Sequence, residues 1–191
     1  ATSMLGQELA RQLATRGINV VKAGRRPDSD IVVDLASGNP PEWPDPCSAE
    51  VLIHCASAFG DDSEQGIRQN IHTNVGRCVQ ALEIAKQARV QKIIYAGSIF
   101  SDPALEPGKP LNSYGFSKAK AERVLEWGIK GVGGSFCSLR LPQLWDTEGA
   151  CCAHQPWFGR IIAYALRRQL LNMPPSDGAR NFMHVSDAAQ L

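Results

Sequence analysis

Apolar residues along the chain recur at two alternating spacings. Leu5, Leu9 and Leu13 stand at helical intervals over residues 4–16, and Gly17 follows where a left-handed cap ends a helix. Residues 19–23 then read as a strand, and so do residues 31–35, Ile-Val-Val-Asp-Leu. Residues 38–47 hold four prolines and read as a loop. Residues 51–56, Val-Leu-Ile-His-Cys-Ala, run almost unbroken in apolar character, the form of a strand buried on both faces of a parallel sheet. A long helix is predicted over residues 66–88, with Val75, Val79, Leu82 and Ile84 as its stripe. The next strand covers residues 92–96, with Gly97 and Ser98 at its C-terminal end. A proline-rich loop, 102–110, leads to a helix from Tyr114 through Ala121 and Leu125 to about Gly128. Residues 135–141 form another buried strand, ended by Pro142. Beyond it the rhythm changes to an irregular segment (146–156), a helix (157–170) and a strand-like stretch (181–185).

Strands and helices in this alternation predict an α/β fold built on a doubly wound parallel sheet, Rossmann-like in plan. The pattern opens on a helix, with Gly6 standing like the end of a glycine-rich turn, so the first strand of such a sheet is expected to be missing. A stop at Leu191, where a helix begins, gives the same expectation at the other end. Residues 1–141 are read as the nucleotide-binding unit, and residues 142–191 as the start of a small substrate lobe that returns to the sheet. No internal repeat or low-complexity tract interrupts the pattern.

Composition narrows the partners. A net charge of +1 offers no broad field for nucleic acid or an anionic membrane surface. No apolar run approaches the roughly 20 residues that span a bilayer, and no basic-then-apolar segment opens the chain, so a cytoplasmic protein without membrane contact is expected. The six cysteines form no Cys-x-x-Cys pair and read as buried thiols, and the four scattered histidines suggest no metal site.

Candidate chemistry concentrates at Tyr114-Gly115-Phe116-Ser117-Lys118. A tyrosine and a lysine four apart lie on one helix face, where an ammonium beside the phenol favours the phenolate of a group that otherwise ionises near pH ~10. Ser98, at a strand's C-terminal end, stands where open α/β sheets place ligands.

Taken together, these residues resemble a known family, the extended short-chain dehydrogenases/reductases of the NAD-dependent epimerase/dehydratase group. Thr2-Ser3-Met4-Leu5-Gly6 is similar to the latter part of the family's glycine-rich turn, with Ser3 in the middle glycine's place. Asp34-Leu35 resembles the adenine-contacting turn, Cys55-Ala56-Ser57 the strand end beside the cofactor, and Asn74-Val75-Gly76 a helical motif that braces the active-site backbone. Pro142 and Gln143 resemble the exit from the sixth strand, where Gln143 replaces an asparagine that meets substrate. Arg180 stands where an arginine pairs with a nucleotide-sugar diphosphate, an ion pair with Asp187 being the alternative.

The resemblance implies a catalytic set of Ser98, Tyr114 and Lys118. Tyr114 would exchange a proton with substrate, Ser98 would hydrogen-bond the substrate oxygen, and Lys118 would lower the tyrosine pKa and hold the nicotinamide ribose. Ser101 is the alternative serine. Ile99 and Phe100 are apolar where sugar dehydratases carry an acid, which disfavours dehydration, with Asp102 the nearest carboxylate. Gly24 occupies the place of a ribose-binding acid and Arg25-Arg26 follow, which favours NADP(H) over NAD(H), unless both arginines are simply solvated. The expected activity is NAD(P)-dependent reduction or oxidation of a carbohydrate, most simply a nucleotide-activated sugar. The alternatives are an epimerase with tightly bound NAD and a non-catalytic NAD(P)-binding sensor or scaffold. Relatives often pair through the helices corresponding to residues 66–88 and 114–128, which implies a homodimer.

Overall fold

A computed structural model of the chain describes residues 3–37, 39–43, 47–105, 107–173 and 180–191. Helix α1, Met4–Thr15, is capped by Ser3, whose Oγ accepts from the Gly6 N–H at 3.1 Å. It ends as expected at Gly17, whose φ of 72° lets Ile18 N–H return to Leu13 O at 3.0 Å.

Among the described residues every strand ladder is parallel. Strands β1 (Ala23–Gly24) and β2 (Ile31–Val32) form one pair. Strands β3 (Val51–His54), β4 (Lys92–Ser98) and β5 (Ser135–Leu141) form a sheet in that order. Strands β6 (Gln143–Trp145) and β7 (Phe182–His184) form a third patch. The strand expected over residues 19–23 shrinks to β1, because residues 19–21 find no partner ladder among the described residues. Nor is β3 buried on both faces. It lies at the edge of its sheet with Val51 41% exposed, and β4 takes the central, buried place. Strand β6 was not anticipated; Pro142, which has no N–H to donate, separates it from β5.

The predicted helix over residues 66–88 is three elements: α2 (Glu64–Asn70), a π-helical turn (Ile71–Gly76) and α3 (Cys78–Gln87). The wide turn moves the apolar stripe. Asn70, Asn74 and Cys78 come to one buried face at four-residue intervals, which a 3.6-residue helix would splay by about 40° per step. Val79, expected inside, is exposed; Ile84 is buried as expected, and Cys78, Ala81 and Ala85 are buried with it. Helix α4 runs Ser113–Lys130, started by Asn112, whose Oδ1 accepts from Gly115 N–H at 2.7 Å. The short α5 (Cys151–His154) precedes α6 (Pro156–Leu166). Helix α6 stops before Leu170 because Arg168 turns left-handed (φ 52°) and Gln169 N–H caps Tyr164 O at 2.9 Å. The chain closes with α7, Val185–Ala188.

Alternation along β4 sends Ile93 and Tyr95 toward α3 and α4, and Ala96 toward α1 and α7. Tyr95 packs with Cys78, Ala81, Ala121 and Leu125 on one face, while Leu5, Leu141, Val185 and Ala188 form the core on the other. Helices thus cover both faces of a parallel sheet, the doubly wound arrangement.

Candidate active site

The C-terminal end of β4 and the first turns of α4 bring the expected catalytic residues together. They can meet because Gly115 has no side chain: a Cβ there would stand 2.0 Å from Phe100 O, so only glycine lets α4 lie against the turn that follows Ser98. Ser98 is buried, and its Oγ accepts from Phe100 N–H at 3.2 Å. The Tyr114 ring packs edge-on against Phe59, with centroids 4.6 Å apart. Burial pushes the Tyr114 phenol above its ordinary range, and hydrogen bonding with the Ser57 and Ser98 hydroxyls pulls the other way.

Lys118 differs from expectation. Its ammonium donates to Ala96 O at 2.7 Å and lies 4.1 Å from the centre of the Tyr95 ring. Burial brings the lysine down to about 7, with Cys55 and Glu122 acting in the opposite direction. Desolvation, rather than the lysine, therefore sets the direction of the tyrosine's shift. His54, stacked on Tyr95 with centroids 5.5 Å apart, is brought down to about 4 by burial and then by the Lys118 charge.

Ser101 is not a second candidate for contacting substrate. Its Oγ is buried, donates to Ser98 O at 2.6 Å and lies 3.2 Å from Glu122 Oε1. Asp102 pairs with Arg140 at 3.4 Å and accepts from Ala104 N–H at 2.9 Å. Glu122 and Arg140, which the chain pattern did not single out, meet through Arg140 Nη2 and Glu122 Oε2 at 3.1 Å. The available signal was a carboxylate one turn after Lys118 and an arginine within a strand.

Asn74 clasps the loop after β3 to α4, and Asn70, which was missed, repeats the arrangement. Asn74 Oδ1 accepts from Ala58 N–H at 2.7 Å, and its Nδ2 donates to Ala58 O at 3.0 Å and Ser117 Oγ at 2.9 Å. Asn70 makes the same three bonds to Gly60 N–H, Gly60 O and Ser113 Oγ, at 2.7, 3.0 and 2.9 Å. The signal was an Asn-x-x-x-Asn pair matching Ser-x-x-x-Ser.

Most of the residues expected at a dinucleotide follow the C-terminal ends of parallel strands or open α1. Ser3 caps α1, with Met4, Leu5 and Gly6 in its first turn; Thr2 lies outside the described residues. Arg25 and Arg26 follow β1 with exposed side chains and, among the described residues, no carboxylate partner; Asp30 accepts instead from Lys22 N–H at 2.7 Å. Asp34 Oδ1 closes a turn by accepting from Ala36 N–H at 3.0 Å, with Leu35 beside it. Ala56 and Ser57, beyond β3, are exposed, and Cys55 is pushed up to about 11 by burial. Small side chains, a capped helix N-terminus, unpaired guanidiniums and a buried ammonium suit a dinucleotide's pyrophosphate and ribose groups.

On the substrate side, Pro142 and Gln143 are half-buried where β5 passes into β6, and among the described residues the buried Gln143 Oε1 accepts no hydrogen bond. Arg180 does not pair with Asp187. Its guanidinium lies 5.0 Å from the centre of the Trp157 ring, next to Phe158 and Phe182. All six cysteines are free. Among the described residues no helix is long and apolar enough to cross a membrane, and no cluster of His, Cys, Asp or Glu could hold a metal ion.

Comparison with known proteins gives the chain its context. The solved protein MoeE5, bound to UDP-glucose and NAD, superposes with a TM-score of 0.75 at 24% identity, covering 100% of this chain and 67% of its own. The UDP-N-acetylglucosamine 4-epimerase from Bacillus cereus gives 0.75 at 21% identity, covering 99% and 66%. The UDP-glucose 4-epimerase of Thermus thermophilus, in complex with NAD, gives 0.70 at 18%, covering 98% and 70%. At these identities the likeness speaks for a shared Rossmann-like fold, and the chain spans about two-thirds of those proteins' length. No curated protein matches its sequence. The family model described as the NAD dependent epimerase/dehydratase family matches residues 1–191, the whole chain, and the protein belongs to that family.

Proposed function

We propose that the chain carries the site of an NAD(P)-dependent enzyme that oxidises or reduces a carbinol or ketone of a nucleotide-activated sugar. The observation that carries this reading is the convergence of the Tyr114 phenol with the Ser57 and Ser98 hydroxyls at the end of β4, beside the buried Lys118. Bound NAD(P) supplies the hydride donor or acceptor. Tyr114, kept protonated by burial, gives its proton to the substrate oxygen in reduction and takes it back in oxidation. Ser98 Oγ orients that oxygen, and the protons of Lys118 not engaged with Ala96 O hold the nicotinamide ribose. Ser3 and the first turn of α1 receive the pyrophosphate, Asp34 and Leu35 flank the adenine, and Cys55, Ala56, Ser57 and Pro142 let the dinucleotide lie close. Gln143 and Arg180 meet the sugar nucleotide, Arg180 from its seat on Trp157.

Arg25 and Arg26, free of carboxylate partners among the described residues, favour NADP(H) through its 2′-phosphate. The NAD-bound neighbours favour a second reading, an epimerase that keeps NAD bound through both half-reactions. Calorimetric titration with NADPH and NADH, repeated on Arg25→Ala/Arg26→Ala, separates the two. Tighter NADPH binding that the double variant loses supports net reduction, whereas NAD that copurifies and does not exchange supports epimerisation. Tyr114→Phe, assayed with UDP-glucose, UDP-galactose and keto-sugar nucleotides, should abolish turnover and leave nucleotide affinity nearly unchanged. Nucleotide binding with no turnover in the unsubstituted protein would point instead to a sensor or scaffold.

A further inference from the structure

Directly behind Ser98 and Lys118 lies a buried carboxylate to which the reaction above gives no part. Glu122, one turn beyond Lys118 on α4, is 8% exposed. Its Oε1 accepts from Ser138 Oγ at 2.9 Å and from Arg140 Nε at 3.4 Å, and Arg140 Nη2 reaches Oε2 at 3.1 Å. Ser101, with a single hydroxyl proton to give, favours Ser98 O at 2.6 Å and stands 3.2 Å from the same Oε1. Gly97 makes room for this cluster, since a Cβ there would come within 2.5 Å of Ser138 Oγ and 2.9 Å of Glu122 Oε1.

Removing a carboxylate from water costs several kcal/mol, which an ion pair alone does not require. Glu126, one turn later on the same helix, pairs with Lys130 at 2.7 Å on the surface. What burial adds at Glu122 is a negative charge one helical turn from the buried Lys118.

We propose that Glu122 is a positioning residue for the reaction proposed above, on which this inference rests: fixed by Ser138 and Arg140, its charge keeps the neighbouring Lys118 in the ammonium form that holds the nicotinamide ribose. Among the described residues, the groups facing Lys118 are His54 and Cys55 at the end of β3, Tyr95 on β4 and Glu122 on its own helix, and Tyr114 stands one turn before it on that helix. His54 is held down to about 4 and Cys55 up to about 11, so both are neutral near pH 7. Burial raises both tyrosines, which are neutral there as well. Glu122 is thus the anion facing Lys118 among the described residues. Glu122 itself is faced by Arg140 from β5, with Asp102 beyond it, and by Tyr95.

The test is a carbon-13 NMR titration of the lysine side chains in the whole chain, with the Lys118 signal assigned by its loss in Lys118→Met. Glu122→Gln removes the anion and should lower the Lys118 midpoint by on the order of one unit. Arg140→Gln removes the cation that offsets Glu122 and should raise it, while Glu126→Gln should leave it in place. Opposite shifts separate an electrostatic role from a merely structural one. Midpoints that do not move, or that move in the same direction in both variants, overturn the proposal. If circular dichroism shows Glu122→Gln unfolded, Arg140→Gln decides alone: a rise supports the proposal and no rise overturns it. These midpoints need no nucleotide, so failure of NADPH and NADH to bind the unsubstituted protein would register separately, as failure of the functional reading.

Discussion

Lys118 is buried to 2% exposure, and its titration falls from 10.5 to about 7 because water is excluded from the ammonium. The folded chain releases this proton near pH 7 and the unfolded chain only near 10.5. Between those limits the unfolded state binds more protons, so the penalty is full below about 7 and is relieved as pH rises. Over the whole interval the contribution is at most about 5 kcal/mol, from about 1.4 kcal/mol per unit. Melting temperatures measured from about pH 6.5 to about pH 8, below the midpoint of thiol ionisation, should therefore rise in the unsubstituted protein, with a smaller slope in Lys118→Met. Equal slopes would remove the buried ammonium as their cause. The four-residue spacing was enough to bring Tyr114 and Lys118 to one end of a helix. It could not show where the ammonium goes, because Ala96 O and the Tyr95 ring belong to a strand more than twenty residues earlier. Glu122 was illegible for the same reason: its meaning depends on Arg140, which becomes its neighbour only when β5 joins the sheet.

At the scale of elements, the site depends on how closely α4 meets the turn after β4 and the π-helical turn beside it. Gly115→Ala would place a Cβ 2.0 Å from Phe100 O, in contact with backbone that has no side chain to swing away. It should cost about 1–3 kcal/mol in urea denaturation and reduce turnover by more than it reduces nucleotide binding, since it shifts Ser98 against Tyr114. Asn70→Ala strips partners from Gly60 N–H, Gly60 O and Ser113 Oγ together and should cost about 1–3 kcal/mol. Because Asn70 touches the far end of the clasp, its effect should fall on stability with turnover largely retained; a variant as stable as the parent would mean that water replaces the amide. Both ends of α1 and the start of α4 were legible because caps and glycine are local signals, whereas α4 runs through Gly128, its expected end, to Lys130. The π-helical turn was not, since no residue in Ile71–Gly76 announces it and its cause is the demand of Asn70 and Asn74 to face the same loop.

At the scale of the whole molecule, two helix surfaces remain apolar and exposed. Ile67 and Ile71 stand four apart on α2 and the turn after it, with Val79 further on, at 42%, 37% and 46% exposure. Phe116 and Trp127, eleven residues or about three turns apart on α4, are 44% and 77% exposed. We propose that these faces pair two copies of the chain, which sedimentation at about micromolar concentration tests: a dimer that Ile71→Glu or Trp127→Glu dissociates is the expected result, and a monomer removes the proposal. The two asparagine clasps carry a different consequence, one of timing. Each joins an asparagine to a serine 43 positions later, so a chain growing at about 5–20 residues per second carries both amides for roughly 2–9 s before their last partners are synthesised. During that interval the loop holding Ala58 and Gly60 has no α4 to close against. A ribosome-stalled chain ending before Ser113 should be cut there by protease, and one that extends past Lys130 far enough to clear the exit tunnel should be protected.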